Sequence, residues 1–452
     1  MQKVITYGTY DFLHYGHIRL LERAKALGDY LIVGVTAEDY DKARGKINVQ
    51  QSLMERIEAV RATGLADEII VEEYEGQKID DIRRYDIDIF TVGSDWTGKF
   101  DYLKEYCQVI YLERTEGVSS SKIRTQESKL RLGLAGEMEF IEKYERECDF
   151  VNGVAVTAAY TNNTKLAQRY IKSGINVVEE YQTFLETVDA VYIASLPEEH
   201  FKQIELALQH GKHVLCEAPM VLKKNDCMYL MDLAKKNKVI LMEAIKTAYS
   251  TAYHRLLLMV KGGKIGKVVS VDVTCTSLND YKNMPLESVL KSQNSMCAWG
   301  PTGLLPVFQL LGVDYEKCSI TSSYLDAQKT YDLFTKMDFR YQNAIASVKV
   351  GKGVKSEGEL IISGTKGYIY VPAPWWKTDY FEVRYENQNE NQRCFYQLDG
   401  EGIRNELISF LKSIKCGKSL STINYEITEA IVQVIESFNC KSNVEEFTIE
   451  IM

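Results

Sequence analysis

The stretch KVITYGTYDFLHYGHIRLLERAKALGDYLIVGV, Lys3 to Val35, decides the fold of the first part of the chain. Two apolar runs typical of strands, KVITYG and DYLIVGV, enclose an amphipathic segment from Ile18 to Leu27. A strand, a helix and a second strand in this order predict a βαβ unit with parallel strands. The alternation continues through DEIIVEE, IDIFTVG and CQVIYLE, so we expect a parallel sheet covered by helices.

The same alternation restarts further along the chain. A polar segment, Ser119 to Lys129, precedes LRLGLAG, the first of a second series of strand-like runs. From about Lys264, strand-like runs follow one another through turns such as SGTKG, which predicts a mostly antiparallel sheet. We therefore predict an α/β protein with an N-terminal Rossmann-like domain (1–129), a second Rossmann domain (130–248) and a C-terminal α+β domain (249–452).

Composition limits the classes of function. The 452 residues carry a net charge of −9, which argues against a nucleic-acid or anionic-membrane partner. The ten cysteines form no CxxC pair, so we expect reduced thiols in a cytoplasmic protein. We find no signal-peptide pattern and no run of about 18 apolar residues, and so expect no membrane insertion.

Two histidines stand three residues apart where the first strand passes into a helix. Because positions i and i+3 share one helix face, His14 and His17 would direct both rings to the unpaired N–H groups of the first turn, where an anion is favoured. Gly8 and Gly16 would leave space for a ligand, and Asp11 could cap or orient. The alternative is that both rings only pack at a strand-helix junction.

Two further stretches point to the same edge of the sheet. RTEGVSSSKIR, Arg114 to Arg124, combines guanidinium groups, a lysine, Gly117 and hydroxyls that could hold several phosphate oxygens. An ordinary polar linker would also explain it. GSDWTGKFD, Gly93 to Asp101, follows a strand and would lie at the carboxyl ends of the sheet, where open α/β folds bind ligands.

These motifs carry a family resemblance. The chain from Met1 to about Arg124 resembles glycerol-3-phosphate cytidylyltransferases, of the HxGH nucleotidyltransferase superfamily, in YGTYDFLHYGH, LLERAKALGDYLIV, GSDWTGKFDYL and YLERTEGVSSSKI. HxGH alone also fits adenylyltransferases of several kinds. The DW-GKFD and RTEG stretches favour the cytidylyl branch.

The resemblance assigns roles position by position. Catalytic roles fall to His14, His17, Lys46 and Arg114. Nucleotide binding falls to Gly8, Thr9, Tyr10, Asp11, Gly16, Gly93, Asp95, Trp96, Thr115, Gly117, Ser119 and Ser120. Arg44, Arg61 and Asp95 would bind the second substrate, with Arg61 in place of a family arginine where this chain has Gly64.

The resemblance also implies a reaction. A phosphate oxygen of a polyol phosphate, most simply glycerol 3-phosphate, would attack the α-phosphorus of CTP and give CDP-glycerol for a cell-surface polymer. That phosphate is already ionised, so holding two anions together matters more than a strong general base. We expect Mg²⁺ to arrive with CTP and to need few protein ligands.

Leu130 to Met452 resembles the glucose-fructose oxidoreductase and inositol dehydrogenase superfamily, which implies a Rossmann domain and an α/β domain with an open sheet. The strongest match is ASLPEEHFKQIELALQHGKHVLCEAPM, Ala194 to Met220, joined by LMEAI, GKIGKVVSVDV and ISGTKGYIYV. A dinucleotide loop needs glycine beside the pyrophosphate. Here Met138 and Ile141 stand at the second and third fingerprint positions, so we do not expect NAD(P) to bind.

The proton-transfer positions of that superfamily are also changed. Its lysine turn reads Glu217-Ala218-Pro219, and the helix that supplies an aspartate and a histidine has Ala298 and Leu305 there. Neither side chain can carry a proton. Lys246 is a nearby base, although an ion-paired lysine is the simpler interpretation.

We therefore expect an inactive oxidoreductase-like tail that serves structure, homo-oligomerisation (most simply a dimer) or ligand binding. Two alternatives stay open at this point. In one, the tail is an NAD(P)-dependent reductase that makes the polyol phosphate; in the other, it docks a partner transferase. Trp375 and Trp376, beside Lys377, fit either a sugar or nucleotide platform or a buried loop anchor.

Overall fold

The computed structural model describes residues 2–11, 13, 15–37, 49, 51–74, 76–113, 129–138, 140–279, 281, 289–290, 292–396 and 398–449. The chain divides into two compact units, Met1–Lys129 and Leu130–Met452. None of the helices in this part of the chain is long and apolar enough to cross a membrane.

The first unit is a five-stranded parallel sheet in the order β3-β2-β1-β4-β5, with helices between the strands. Its elements are β1 (Lys3–Gly8), α1 (Tyr15–Lys25), β2 (Tyr30–Thr36), α2 (Leu53–Ala62), β3 (Glu68–Glu72), α3 (Gln77–Tyr85), β4 (Ile89–Gly93) and β5 (Gln108–Leu112). Short 3₁₀ turns lie at Ser94–Trp96 and Asp101–Glu105.

Strand β1 shows why both faces of this sheet are covered. Successive side chains of a strand point to opposite faces. Val4 and Ile5 are both fully buried, yet they belong to two different hydrophobic clusters. Each face therefore has its own core, which requires helices on both sides.

The second unit begins with a six-stranded parallel sheet in the order β11-β10-β9-β6-β7-β8. Its elements are β6 (Leu130–Gly136), α4 (Ile141–Cys148), β7 (Val154–Tyr160), α5 (Thr164–Lys172), β8 (Asn176–Val177), α6 (Tyr181–Glu186), β9 (Ala190–Ala194), α7 (Pro197–Gln209), β10 (His213–Glu217), α8 (Lys224–Lys236) and β11 (Leu241–Ala244).

A nine-stranded sheet follows, in the order β19-β18-β17-β16-β12-β15-β14-β13-β20. It is mostly antiparallel, with parallel pairs β12/β15 and β13/β20. Its elements are α9 (Thr251–Lys261), β12 (Val268–Thr276), α10 (Ser295–Leu311), β13 (Lys317–Tyr324), β14 (Asp332–Arg340), β15 (Ile345–Gly351), β16 (Leu360–Gly364), β17 (Tyr368–Val371), β18 (Tyr380–Arg384), β19 (Gln392–Phe395), α11 (Ile403–Cys416), α12 (Tyr425–Asn439) and β20 (Val444–Glu446).

The two sheets of the second unit share a hydrophobic core. One buried cluster contains Tyr192 of β9 as well as Val348 of β15. Helix α10 packs on the antiparallel sheet so closely that a Cβ atom at Gly303 would lie 2.8 Å from a methyl carbon of Val348. These architectures confirm the predicted fold class: two parallel-sheet Rossmann-like regions and a mixed, mostly antiparallel C-terminal sheet.

Candidate active site at the edge of the first sheet

The candidate site lies where the strand order of the first sheet changes direction. The chain moves from β1 outward through β2 and β3, then returns to place β4 on the other side of β1. Open α/β sheets bind ligands at such a point, beyond the carboxyl ends of the strands. The segment after Gly8 and the segment after Gly93 both begin at this edge.

His17 lies in the first turn of α1, as the histidine spacing predicts. Its ring is half-buried and meets the ring of Tyr10 edge to face, with centroids 5.5 Å apart and planes at 71°. One side of the imidazole therefore packs against an aromatic ring. His14 lies outside the described residues, so the pairing of the two rings stays a prediction.

Tyr10 shapes the turn between β1 and α1. The residue is 1 % exposed and has a backbone φ of 54°, a conformation that is rare for a residue with a bulky side chain. A Cβ atom at Gly8 would lie 2.9 Å from the tip of the Tyr10 ring. The glycine at the strand end therefore makes room for an aromatic ring of its own chain.

Asp11 connects this turn to the start of α2. The carboxyl is buried and accepts a hydrogen bond from the backbone N–H of Gln51 at 3.0 Å. The next residue, Ser52, caps α2 in a capping box with Glu55. Asp11 therefore binds the backbone of its own unit, and its predicted contact with the nucleotide stays a prediction.

Arg56 is a central residue of this edge that sequence analysis missed. It is fully buried in the first turns of α2. Its guanidinium donates to the carbonyl of Thr9 and to the carbonyl of Thr36, both at 2.8 Å, and to that of Gln51 at 3.1 Å. One side chain therefore holds together the turn after β1, the end of β2 and the start of α2.

Thr36, which accepts a hydrogen bond from Arg56, also belongs to a second polar cluster. Thr36 donates through its hydroxyl to Glu72 at 2.9 Å, and the same carboxylate forms a buried ion pair with Lys78. The ammonium of Lys78 also lies 4.7 Å from the centre of the Tyr7 ring. Buried charges in proteins are almost always paired, and this pair fixes the ends of β2 and β3 beside the site.

The segment after β4 forms the opposite wall of the edge. A Cβ atom at Gly93 would meet open space, and Asp95 is exposed. Trp96 is half-buried against Phe100, with ring centroids 5.8 Å apart, and the ammonium of Lys99 lies 4.9 Å from its ring centre. Asp95 and Trp96 therefore follow β4 at the same edge of the sheet as the turn after β1.

Arg61 is exposed in the structure, and its predicted contact with the second substrate stays a prediction. It is in the last turn of α2, 60 % of its side chain is exposed, and it forms an ion pair with Glu58 one turn earlier. Gly64 follows the helix with a φ of 67°, which favours glycine. Among the described contacts, none joins Arg61 to the β1 turn.

The remaining predicted residues lie outside the described part of the chain, so their positions stay predictions. They are His14, Arg44, Lys46, Arg114, Thr115, Gly117, Ser119 and Ser120.

The second unit has its own loop after β6, where a Rossmann domain holds pyrophosphate. Gly136 is packed so closely that a Cβ atom would lie 2.2 Å from the carbonyl oxygen of Ala194. The N–H of Met138 donates to that same oxygen at 3.3 Å. Glu137 is exposed and accepts a hydrogen bond from Asn162, at the end of β7, at 2.9 Å. Met138 and Glu137 thus belong to this loop, and the predicted loss of dinucleotide binding stays a prediction.

Beneath that edge lies a buried pair of carboxyls. Tyr192 donates to Glu217 at 2.6 Å and Tyr144 donates to Glu406, while the two tyrosine rings stack at 3.7 Å. Burial raises the pKa of Glu217 to about 7 and that of Glu406 to about 8. Ala218 follows with no titratable group.

Comparison with known proteins identifies the first unit. Residues 5–126 match the cytidylyltransferase-like family model. The chain is 50 % identical, over 130 residues, to the glycerol-3-phosphate cytidylyltransferase of Bacillus spizizenii, covering 29 % of this chain and 100 % of that protein. The chain belongs to the cytidylyltransferase-like family. The enzyme of the same name from Staphylococcus aureus is 47 % identical over 130 residues, covering 28 % of this chain and 95 % of that protein.

Membership makes the protein a nucleotidyltransferase, as the sequence predicts. The second unit contains a match to the oxidoreductase family with an NAD-binding Rossmann fold, at residues 132–245. Among solved structures, a 3-ketoreductase from Actinomadura kijaniata in complex with TDP-benzene and NADP has a TM-score of 0.62 at 17 % identity, covering 71 % of this chain and 99 % of that one. At this identity the likeness shows the fold alone.

Proposed function

We propose that this cytidylyltransferase family member transfers CMP from CTP to a polyol phosphate, most simply glycerol 3-phosphate, with release of pyrophosphate. The identity of 50 % to a glycerol-3-phosphate cytidylyltransferase over that protein's whole length carries the proposal. The product would be CDP-glycerol, an activated polyol for a cell-surface polymer.

The proposed reaction is an in-line displacement. A phosphate oxygen of the acceptor forms a bond to the α-phosphorus of CTP, and the bond from that phosphorus to the bridging oxygen breaks. Pyrophosphate leaves with the electron pair. Because the acceptor oxygen is already anionic, catalysis consists of holding two anions in line and of neutralising the charge that develops.

His17 would supply part of that neutralisation. It lies in the first turn of α1, where the backbone N–H groups and the helix dipole favour an anion, and its ring packs against Tyr10. We propose that His14, Lys46 and Arg114 complete the phosphate contacts, that Asp95 and Trp96 line the pocket, and that Thr115, Gly117, Ser119 and Ser120 hold the nucleotide.

We propose that Mg²⁺ binds at this site together with the triphosphate. The described residues contain no group of three or more His, Cys, Asp or Glu side chains that could hold a metal ion. Asp11, the buried carboxyl of the turn, is used to bind the N–H of Gln51. When bound, Mg²⁺ would neutralise phosphate charge, and it prefers phosphate and water oxygens.

A panel of acceptors tests the substrate assignment. Purified protein with CTP and Mg²⁺ should release pyrophosphate fastest with glycerol 3-phosphate, and more slowly with ribitol 5-phosphate or phosphoethanolamine. Replacement of CTP by ATP should remove the activity. Equal rates with all acceptors, or preference for another one, would overturn the choice of glycerol 3-phosphate.

For the second unit we propose a role other than NAD(P)-dependent oxidation or reduction. Met138 replaces a fingerprint glycine, Glu137 adds negative charge at the phosphate position, and Ala218 replaces the proton-transfer lysine. Leu305, at another proton-handling position, is buried in the core. These three replacements and the added charge support a structural or ligand-binding tail.

Titration of the full chain with NADH and NADPH tests that proposal. We expect no quenching or enhancement of nicotinamide fluorescence. A saturable change, together with oxidation of NADPH by a keto-sugar phosphate, would instead favour the bifunctional enzyme.

We further propose that the protein is cytoplasmic and forms a homo-oligomer through the second unit. Sedimentation measurements on the full chain and on residues 1–129 test the proposed oligomer. A tail that forms the interface gives a dimer or larger assembly for the full chain and a monomer for residues 1–129. If the full chain binds a partner transferase and residues 1–129 do not, the docking alternative is favoured.

A further inference from the structure

A carboxylate in the second unit is held by three lysines. Glu401 accepts from Lys246 at 2.5 Å, from Lys143 at 3.0 Å and from Lys377 at 3.0 Å. These lysines come from three separate parts of the fold: helix α4, the turn after β11, and the 3₁₀ turn before β18. Since Lys143 and Lys246 share the same carboxylate oxygen, their ammonium groups are close neighbours.

This cluster contains more positive than negative charge. Within the described part of the chain, Glu401 is the one carboxylate at ion-pair distance from the three ammonium groups. Partial burial alone would raise the pKa of Glu401, but the hydrogen bonds from the lysines outweigh it and lower the pKa to about 2. One full negative charge therefore faces three positive charges.

Two nearby carboxyl groups do not fully neutralise the excess positive charge of the three lysines. Glu217 and Glu406 lie close enough to Lys246 to interact with it electrostatically. Burial raises the pKa of Glu217 to about 7 and that of Glu406 to about 8, so near neutral pH much of each population is uncharged. More than one positive charge therefore remains for an external anion to neutralise.

The backbone around Glu401 packs closely against Lys246. Gly400, Glu401 and Gly402 have φ values of 60°, 52° and 92°, three left-handed residues in succession. A Cβ atom at Gly402 would lie 2.2 Å from the carbonyl oxygen of Lys246. The chain thus adopts a conformation that is unfavourable for a glutamate and places its carboxylate among the lysines.

An aromatic pair lies beside the same segments. The Thr247 hydroxyl donates to the carbonyl of Trp376 at 3.0 Å, which joins the Lys246 and Lys377 segments. Trp376 and Trp299 are half-buried, with ring centroids 4.8 Å apart. Trp375, in contrast, is fully buried and donates to the Thr274 carbonyl, so it is the loop anchor of the two neighbours.

We propose that Lys143, Lys246 and Lys377 form a binding site for the phosphate monoester of a polyol or sugar, and that Glu401 is the intramolecular occupant which this ligand displaces. Three ammonium groups suit a phosphate dianion, and indole faces suit the C–H groups of a polyol or sugar. The site lies beyond the carboxyl ends of β6 and β11, at the edge where parallel sheets bind ligands. It does not depend on the function proposed for the first unit.

Hydrogen–deuterium exchange of the full chain tests the site, because it separates the two units by peptide. The probes are glycerol 3-phosphate and inorganic phosphate, at constant ionic strength with KCl. Either probe should change the exchange of the peptide that covers Asp399–Gly402, and half of the change defines an apparent affinity. Peptides around His17 report separately on the first unit.

Two variants should move that affinity in opposite directions. Glu401→Gln removes the competing charge and should tighten phosphate binding by about tenfold, whereas Lys377→Gln removes one charged donor and should weaken it by about tenfold. Lys336→Gln is the matched control, because Lys336 is a half-exposed lysine paired with one carboxylate, Asp338, on β14. It should leave the affinity unchanged.

A misfolded variant cannot imitate this result, since Glu401→Gln is expected to gain affinity. The proposal fails if phosphate changes exchange only in the first unit, if KCl alone reproduces the effect, or if Glu401→Gln binds no more tightly than the natural chain. Stronger binding of glycerol 3-phosphate than of inorganic phosphate would support the polyol part of the assignment, and equal binding would overturn that part.

Discussion

At the scale of single residues, we distinguish side chains proposed to bind a ligand from side chains that hold the turn after β1. His17, in the first turn of α1, belongs to the first kind by our proposal. Arg56 and Asp11 are buried and bind backbone groups of three segments. The two kinds of residue therefore differ in what their replacement should change.

Replacement of His17 by alanine should lower turnover by a factor of about 10² to 10⁴. The reason is the loss of charge neutralisation near the α-phosphate, while the core of the unit is untouched. Rates of pyrophosphate release and circular dichroism spectra check both halves of this prediction. His210→Ala, at an exposed helix end in the second unit, is the control. A near-normal rate for His17→Ala would remove this histidine from the mechanism.

Replacement of Arg56 by methionine should destabilise the first unit by about 3 to 5 kcal/mol, because three carbonyl groups lose their donor inside the protein. Faster amide hydrogen exchange in β1 and β2 measures the effect. The control is Arg61→Met on the same helix, which removes an exposed ion pair and should cost less than about 0.5 kcal/mol. Equal effects for the two variants would contradict the role assigned to Arg56.

The sequence could predict the first kind of residue better than the second. HxGH is a local motif, and its second histidine lies in the predicted helical turn. Arg56 follows a capping box in an otherwise polar helix start, so its composition is that of an exposed residue. Its burial depends on the carbonyls of Thr9 and Thr36, and strand register alone does not reveal that contact.

At the scale of elements, β10 and α11 bring two carboxyls into the interior of the second unit. Glu217 ends β10 and Glu406 lies in the first turn of α11. Both have pKa values raised by burial, toward about 7 and about 8. A carboxyl with a raised pKa binds its proton more tightly in the folded state than in the unfolded state.

The free energy of unfolding of the second unit should therefore depend on pH in one direction. The stabilisation from protonated Glu406 is complete below its unfolded pKa of 4.5 and is lost as the pH rises to about 8. Glu406→Gln should flatten this part of the pH profile. Amide exchange protection of α11, measured across that range, checks it. Glu316→Gln, an exposed partner of Arg340, should leave the slope unchanged; an unchanged slope for Glu406→Gln would refute the assignment.

Element order was accessible from the sequence because each strand run is local. KVITYG and LRLGLAG, two of the predicted strand runs, coincide with β1 and β6. The lysine cluster was not accessible in this way. Lys143 and Glu401 are 258 positions apart, and the pattern of neither segment indicates its partner.

At the scale of the whole molecule, we expect the first unit to fold alone. It contains its own sheet and two hydrophobic clusters, and it corresponds to the entire length of a curated relative. Residues 1–129 expressed separately should therefore keep cytidylyl transfer within about threefold of the full chain, because an independent core preserves the site. Steady-state rates of cytidylyl transfer, measured for residues 1–129 and for the full chain, check this prediction. A fragment that folds, as judged by circular dichroism, but is inactive would show that the tail contributes to catalysis.

The packing of Gly136 against Ala194 bears on how such chains are recognised. A side chain there would collide with a carbonyl oxygen whether or not a dinucleotide ever arrives. Close packing alone accounts for a glycine at this position, so its presence does not by itself indicate that a dinucleotide binds. A motif search that counts this glycine therefore reports on packing, whereas the residue two places later, Met138, bears on the proposal that NAD(P) does not bind.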